Sequence, residues 1–213
     1  MIRIVLADDH AIVREGLKRI VSDGKDMQVV GEAADGTQVM QRVRELEFDV
    51  LVLDLSMPGR SGMELIKLVK AEKPKLRILV LSMHEETQYA VRAIKSGASG
   101  YLTKESAPAQ LVEAIRKIAG GGASISAEVA EQLALGAMPG AEPQAPHHAL
   151  TDREFQVLQK LAAGASVTDI AVTLSLSVKT VSTHKANLMA KLGLQHQTDL
   201  VRYALRHKLI DPA

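Results

Sequence analysis

VLADDH, residues Val5–His10, closes an apolar run with two adjacent aspartates and a histidine. Two negative charges side by side where a buried strand ends repel one another, a poor arrangement on structural grounds alone. Their meaning depends on what else collects at that end of the sheet. Short apolar runs recur at Ile2–Ala7, Met27–Ala33, Val50–Leu53, Arg77–Ser82 and Gly100–Thr103. Several are rich in Val, Ile and Leu, as strands covered on both faces require. Helical periods lie between them: Ile12, Val13, Leu17, Ile20 and Val21 trace one apolar face, and Leu111, Val112, Ile115 and Ile118 another. This alternation predicts an α/β unit, a doubly wound parallel five-stranded sheet with crossover helices on both sides.

In such a sheet the loops at the carboxyl ends of the strands gather beside the point where strand order reverses, and ligands bind there. The first run delivers Asp8 and Asp9, the third Asp54 in LVLDLSMPG, the fourth Ser82, and the fifth Lys104 in GYLTK. Clustered carboxylates call for raised pKa values or for a hard cation with oxygen ligands. Magnesium fits best, because it accepts a few carboxylates plus waters and keeps positions for phosphoryl oxygens. A carboxylate beside it can attack a phosphoryl group and become an aspartyl phosphate, with Lys104 countering charge on the transferred oxygens. Asp54, alone on the central strand, is the expected nucleophile. Taken singly, Asp9 could cap a helix, Asp54 end a strand and Lys104 be a solvated charge; the ordered set at successive strand ends favours chemistry.

Composition bounds the alternatives. The chain of 213 residues, 46% apolar and 24% charged, suits a soluble globular protein of two small domains. No apolar run approaches the roughly 18–20 residues that cross a bilayer, and Asp8 and Asp9 come too early for a secretory signal, so the expected location is cytoplasmic. With no cysteine, disulfides and thiolate metal sites are excluded. The net charge is +1, but from Leu150 onward 8 basic residues face 5 acidic ones, a modest lean towards a polyanion. Two Phe, three Tyr and no Trp disfavour base stacking on single strands or RNA.

Gly120, Gly121 and Gly122 end the alternating pattern, following a helix and not a strand, so they make no dinucleotide loop. One short helical candidate, Ser126 to Leu135, precedes MPGAEPQAPHH, whose three prolines read as a tether. The expected division is therefore residues 1–120, a linker over 121–148, and a small all-α domain over 149–213. In LTDREF, Thr151 and Glu154 form a capping box, with Leu150 and Phe155 placed as a hydrophobic staple. Ser166 and Asp169 repeat the box. Further helices are expected at about Val178–Leu192, after Ser177 as cap, and Gln197–Arg206.

Within LSLSVKTVSTHKANLMAKLGL, Val178, Val181, Leu188 and Leu192 form an inward stripe, and Lys179, Ser182, Thr183, Ala186 and Ala190 the opposite one. That outer stripe, small and polar with a cation at its start, can lie in a major groove and touch base edges. Because the side chains are short, shape or water-mediated readout is expected more than bidentate guanine contacts. His184 fits either a phosphate or the neighbouring helix. The last helix, through Leu200, Val201, Ala204 and Leu205, is expected to carry more apolar surface than its own bundle covers.

VLADDH, VLDLSMPGRSG, VLSMH and GYLTK together resemble the flavodoxin-like receiver domain of two-component response regulators, over about residues 1–120. The resemblance implies Asp54 as phosphoacceptor, Asp9 and Asp54 as direct Mg2+ ligands, Asp8 as a ligand through water, and the Ser56 carbonyl as a further ligand. It further implies that Ser82 hydrogen-bonds the phosphoryl group, that Lys104 pairs with it, and that Tyr101 is an aromatic switch filling space Ser82 vacates. Ser56 and His84 lie near positions that tune phosphoryl lifetime. Many receivers place proline after the lysine; Glu105 stands there, leaving the Lys104–Glu105 peptide conformation open. The segment from Leu150 to about Leu209 is similar to the LuxR-type helix-turn-helix. By that likeness Lys179, Thr180, Lys185 and Asn187 are expected at phosphates or the groove rim, and Ser182, Thr183 and Ala186 at base edges.

The whole is identified as a response regulator of the NarL/FixJ type. It would be phosphorylated by a sensor histidine kinase or a small phosphodonor, dimerise when phosphorylated and bind double-stranded promoter DNA to regulate transcription. Only self-phosphorylation and self-dephosphorylation are expected of it as catalysis. Two rival readings differ from it. A phosphatase of the haloacid dehalogenase kind wants two aspartates spaced by one residue on the first strand, unlike adjacent Asp8 and Asp9. A phosphorylation-dependent adaptor would use its helical end on protein instead of DNA.

Overall fold

The computed structural model describes residues 1–57, 62–83, 87–135, 145–174, 176–207 and 209–210. His84 and residues 136–144 of the expected tether lie outside them. The chain divides into two compact units, Met1–Ala134 and Leu135–Ala213.

The first unit alternates β1 (Ile2–Ala7), α1 (Ala11–Ser22), β2 (Met27–Ala33), α2 (Gly36–Glu45), β3 (Val50–Asp54), α3 (Gly62–Glu72), β4 (Arg77–Ser82), α4 (Thr87–Lys95), β5 (Gly100–Thr103), α5 (Ala107–Ala119) and α6 (Ala127–Leu135). All strands run parallel in the order β2-β1-β3-β4-β5, the doubly wound sheet expected from the alternation. Every residue of β3 is buried, as a central strand covered on both faces must be, whereas β2 at the edge is mostly half-buried. On one face Ile4, Leu6, Val50, Val52, Leu79 and Leu81 pack with Leu17 and Val21 of α1 and with Leu111, Ile115 and Ile118 of α5. This apolar layer fixes the strands rigidly enough to aim the side chains at their carboxyl ends.

Ile12 departs from the expected inward face of α1: it is 89% exposed. It lies in the first turn, at the carboxyl rim of the sheet, where the helix has not yet met the strands. Gly62, which opens α3, has a different constraint. A Cβ there would sit 2.6 Å from the Leu55 Cδ2 and 2.7 Å from its Cα, so glycine lets α3 start directly against the loop that follows β3.

Beyond α5 the chain turns back along the outer margin of β5. The Tyr101 amide donates to the Ser124 carbonyl at 2.9 Å and the Ser124 amide to Ser99 at 3.1 Å, a parallel bridge between Gly100 and Ser124. With Val129 of α6 buried, the stretch after Gly120 groups with the first unit as far as Ala134.

The second unit holds a 3-10 turn at Pro146–Ala149 and four helices: α7 (Asp152–Ala162), α8 (Val167–Thr173), α9 (Val178–Leu192) and α10 (Gln197–Arg206). Thr151 and Glu154 form the capping box at α7, Ser166 and Asp169 the one at α8, and Ser177 accepts from the Thr180 amide at α9. Gly193 ends α9 in the left-handed region at φ 66°, the conformation a glycine adopts without strain. Phe155, Val157, Leu158, Ile170, Val181, Leu188, Leu200, Ala204 and Leu209 are fully buried and make the core. Lys191 of α9 reaches Glu154 of α7 at 2.7 Å, tying the two longest helices together at the capping box.

Two apolar expectations are corrected here. Val178, assigned to the inward stripe of α9, is 49% exposed, because it is the first residue of the helix and precedes the packed turns. Leu200 and Ala204 of α10 are fully buried within the bundle, so the apolar surface α10 leaves outward comes from Leu205 and part of Val201.

Candidate functional site

Strand order reverses between β1 and β3: β1 is followed by β2 on one side, and the chain then crosses back to β3 on the other. The crevice at the carboxyl ends of these two strands receives Asp8, Asp9, His10 and Asp54, each offering one ligand atom, all within 4.8 Å of one another. Asp8 and Asp54 are buried and Asp9 is on the exposed side.

Local bonding explains how the acids are held. The Asp8 amide donates to Ala33 at 3.1 Å, continuing the β1–β2 ladder, while its Oδ1 accepts the His10 amide at 2.8 Å and turns the chain into α1. The Arg14 guanidinium donates to the Asp8 carbonyl at 2.7 Å and meets Glu32 at 3.3 Å, anchoring this turn to β2. Asp54 Oδ1 accepts the Ser56 amide at 2.9 Å. Ser82 is fully buried at the end of β4, and its carbonyl accepts the Lys104 amide at 2.7 Å, which sets Lys104 at the mouth of the crevice.

The Lys104 Nζ lies 2.8 Å from Asp54 Oδ2 and 2.6 Å from Asp8 Oδ2. Burial pushes the Asp54 carboxyl above its ordinary value, against the pull of Lys104 and the Ser56 amide, and the Asp8 charge adds to the rise. Burial alone would lower Lys104, but pairing with Asp54 and then Asp8 outweighs it and holds the ammonium above its usual range. Among the described residues, the buried Asp8 Oδ2 faces only the Lys104 ammonium, at 2.6 Å. Such an oxygen, beside a second buried carboxylate and an exposed third, fits a divalent cation with oxygen ligands.

Tyr101 is 92% buried by neighbouring groups, its exposure being 8%, so the ring already lies inward in β5 opposite Val80 of β4. Every peptide bond among the described residues is trans, Lys104–Glu105 included. Sequence reasoning passed over His10 and Arg14; the signal for His10 was its place directly after the two acids.

On the helical unit, Lys179, Ser182, Thr183, Ala186 and Asn187 are exposed along α9, whereas Thr180, His184 and Lys185 are half-buried. Thr180 exchanges a 2.7 Å hydroxyl contact with Ser177, and Lys185 donates to Gln197 of α10 at 3.0 Å. The Thr183 hydroxyl donates back to the Lys179 carbonyl at 3.0 Å, which leaves its methyl group and lone pairs outward. No helix among the described residues is long and apolar enough to cross a membrane.

Comparison with known proteins covers both units. Residues 4–116 match the response regulator receiver domain, and residues 148–204 match the bacterial regulatory proteins of the luxR family. The response regulator UvrY of Escherichia coli (strain K12) is 34% identical over 209 residues, spanning 98% of this chain and 96% of its own. The oxygen regulatory protein NreC of Staphylococcus epidermidis (strain ATCC 12228 / FDA PCI 1200) is 38% identical over 216 residues, spanning 98% of this chain and 99% of its own. Among solved structures, RcsB of Salmonella enterica serovar Typhimurium, bound to a promoter in the presence of the phosphomimetic BeF3-, superposes with a TM-score of 0.66 at 31% identity. That match covers 95% of this chain and 97% of the RcsB chain.

Proposed function

The chain belongs to the response regulators that join a receiver domain to a luxR-type DNA-binding domain, and from that premise we propose that Asp54 is its phosphoacceptor and α9 its DNA-reading helix. It is a DNA-binding regulator of transcription; the adaptor reading, in which the helical unit binds protein, is not favoured, since the related RcsB is solved in complex with DNA.

The observation that carries the proposal is the buried Asp54 carboxylate at the end of the central strand, with Lys104 at 2.8 Å and the acidic side chains of β1 beside it. In the proposed reaction an Asp54 oxygen attacks phosphorus. The bond from phosphorus to the histidine nitrogen of a sensor kinase, or to the oxygen of a small donor, breaks, and its electron pair stays with the leaving group. Asp54 must be ionised to attack, and the Lys104 ammonium and Ser56 amide favour that form against burial. Asp9 and Asp54, with the Ser56 carbonyl and with Asp8 through water, would hold Mg2+, which when bound neutralises charge on phosphoryl oxygens and draws the donor into line. Lys104 then exchanges part of its carboxylate pairing for the new phosphoryl oxygens, and the buried Ser82 would hydrogen-bond them through its hydroxyl. The inward Tyr101 would couple that rearrangement to β5.

At the helical end, Ser182, Thr183 and Ala186 are proposed at base edges and Lys179, Thr180, Lys185 and Asn187 at phosphates or the groove rim. The hydroxyl and ammonium bonds of Thr180 and Lys185 within the protein must be exchanged on binding. Dimers on paired half-sites follow from the size of the module, because a two-fold complex doubles its phosphate contacts; RcsB dimers are known on DNA. The kinase output and the chromosome meet in the cytoplasm, the compartment this function requires.

The test is labelling of the full chain with acetyl phosphate and Mg2+. A hydroxylamine-labile phosphoryl group should appear on the wild type and be absent from Asp54→Ala. Label that persists in the variant, or never appears on folded protein, overturns the assignment.

A further inference from the structure

We propose that His10 is a nitrogen ligand of the cation site, through Nδ1, and that it biases the site towards first-row transition cations, Mn2+ among them, relative to Mg2+. The inference rests on the reading of Asp8, Asp9 and Asp54 as a cation site and adds a ligand of different chemistry to it.

His10 occupies the residue that precedes α1, where a side chain is usually spent on a free amide of the first turn. Its ring makes no such bond. The backbone is pinned instead by the His10 amide on Asp8 Oδ1 at 2.8 Å, and the ring turns over the crevice. Nδ1 lies 2.9 Å from Asp9 Oδ1 and 3.3 Å from Asp8 Oδ1. Two neighbouring ligands of an octahedral ion at a metal-ligand distance of about 2.1 Å stand about 3.0 Å apart, so the separation from Asp9 suits adjacent corners of one coordination sphere, with Asp8 behind them as a ligand through water.

A histidine serving the core would be buried, whereas the His10 side chain is 65% exposed. An exposed imidazole gains little from a carboxylate contact in water, so the 2.9 Å pairing with Asp9 is weak enough to be exchanged for a metal bond at Nδ1. Imidazole nitrogen suits transition ions, and affinity rises along that series, while Mg2+ prefers oxygen and retains its waters. The acids therefore hold either ion, and His10 adds affinity for the transition ion over Mg2+.

Two measurements on the full-length chain decide it. With Mn2+ alone as probe, electron spin-echo modulation should carry a directly bound 14N signal that moves to the 15N frequency when histidine is isotopically labelled. The signal should vanish in His10→Asn, a replacement that remains a favourable residue at the start of a helix and so preserves the fold. Competition between Mn2+ and Mg2+, read by water-proton relaxation, should show the preference for Mn2+ falling on the order of tenfold in His10→Asn, with Mg2+ affinity moving less than about twofold. Mn2+ that binds without nitrogen modulation, or an unchanged preference, overturns the role of His10 and leaves the acidic site standing. Failure of Mn2+ and Mg2+ alike to bind overturns both.

Discussion

Asp54 is held in a place that disfavours its charge. Its carboxyl is raised above an ordinary 3.8, chiefly by burial, so the folded chain binds that proton more tightly than the unfolded one. Stability therefore declines as pH climbs from 3.8 through the raised value and stays lower above it. Asp54→Asn should melt higher than wild type at pH 7 by several degrees, on the order of 1 kcal/mol, because Lys104 keeps its partner Asp8 once one of the crowded charges is gone. The difference should close at pH below 3.8, where the carboxyl is protonated in both states. Adding Mg2+ should narrow it from the other direction by stabilising the wild type more than the variant. Thermal unfolding followed by circular dichroism across pH, with and without Mg2+, reads all three; a variant that melts lower than wild type at pH 7 refutes the account. The acids and Lys104 were legible in the sequence because, although each alone has a structural use, together they fall at successive strand ends of one sheet. His10 was less so, since a polar residue at a helix entry reads as an ordinary boundary until its ring is seen to face the carboxylates.

Between elements, the layers are tied by a few polar contacts that periodicity does not reveal. Asp26, just before β2, makes a two-pronged pair with Arg116 of α5, at 2.9 and 2.8 Å. Arg116 lowers the Asp26 carboxyl to about 2 from an ordinary 3.8. Stability from this pair is present above 3.8 and lost as pH falls through about 2. Carbon-detected NMR should find Asp26 titrating near that low value, and Arg116→Ala should return it to about 3.8; an unchanged titration would remove Arg116 as the cause. The strands and helices themselves followed from the pattern of apolar residues, and α9 and α10 fall where capping residues and period put them. The misplacements share a cause. Ile12 and Val178 keep the helical stripe of their elements, yet each sits in a first turn that protrudes beyond the surface it is meant to cover. Leu200 and Ala204 reverse the case: α10 packs against α7 closely enough to take up apolar area that the composition of four short helices seemed to leave over.

For the molecule as a whole, the charge balance sets what DNA binding must look like. A net charge of +1 gives no strong field, so attraction to phosphates comes from particular lysines and helix starts on the helical unit. Binding of the phosphorylated chain to its promoter should weaken steeply with salt. Lys179→Ala should reduce the slope of log affinity against log salt by about 1 for each protomer bound, with little change in sequence preference. Ser182→Ala should instead relax that preference and leave the slope alone. Fluorescence anisotropy over a salt series separates the two, and a Lys179→Ala slope equal to wild type would take α9 off the phosphate backbone. The main-chain link between Tyr101 and Ser124 was invisible in the sequence, since it uses no distinctive side chain. Its effect is mechanical all the same. Whatever tugs at the fifth strand must either carry residue 124 with it or snap a peptide-to-peptide bond, so any movement of that strand would be handed to the thread that leaves the first unit.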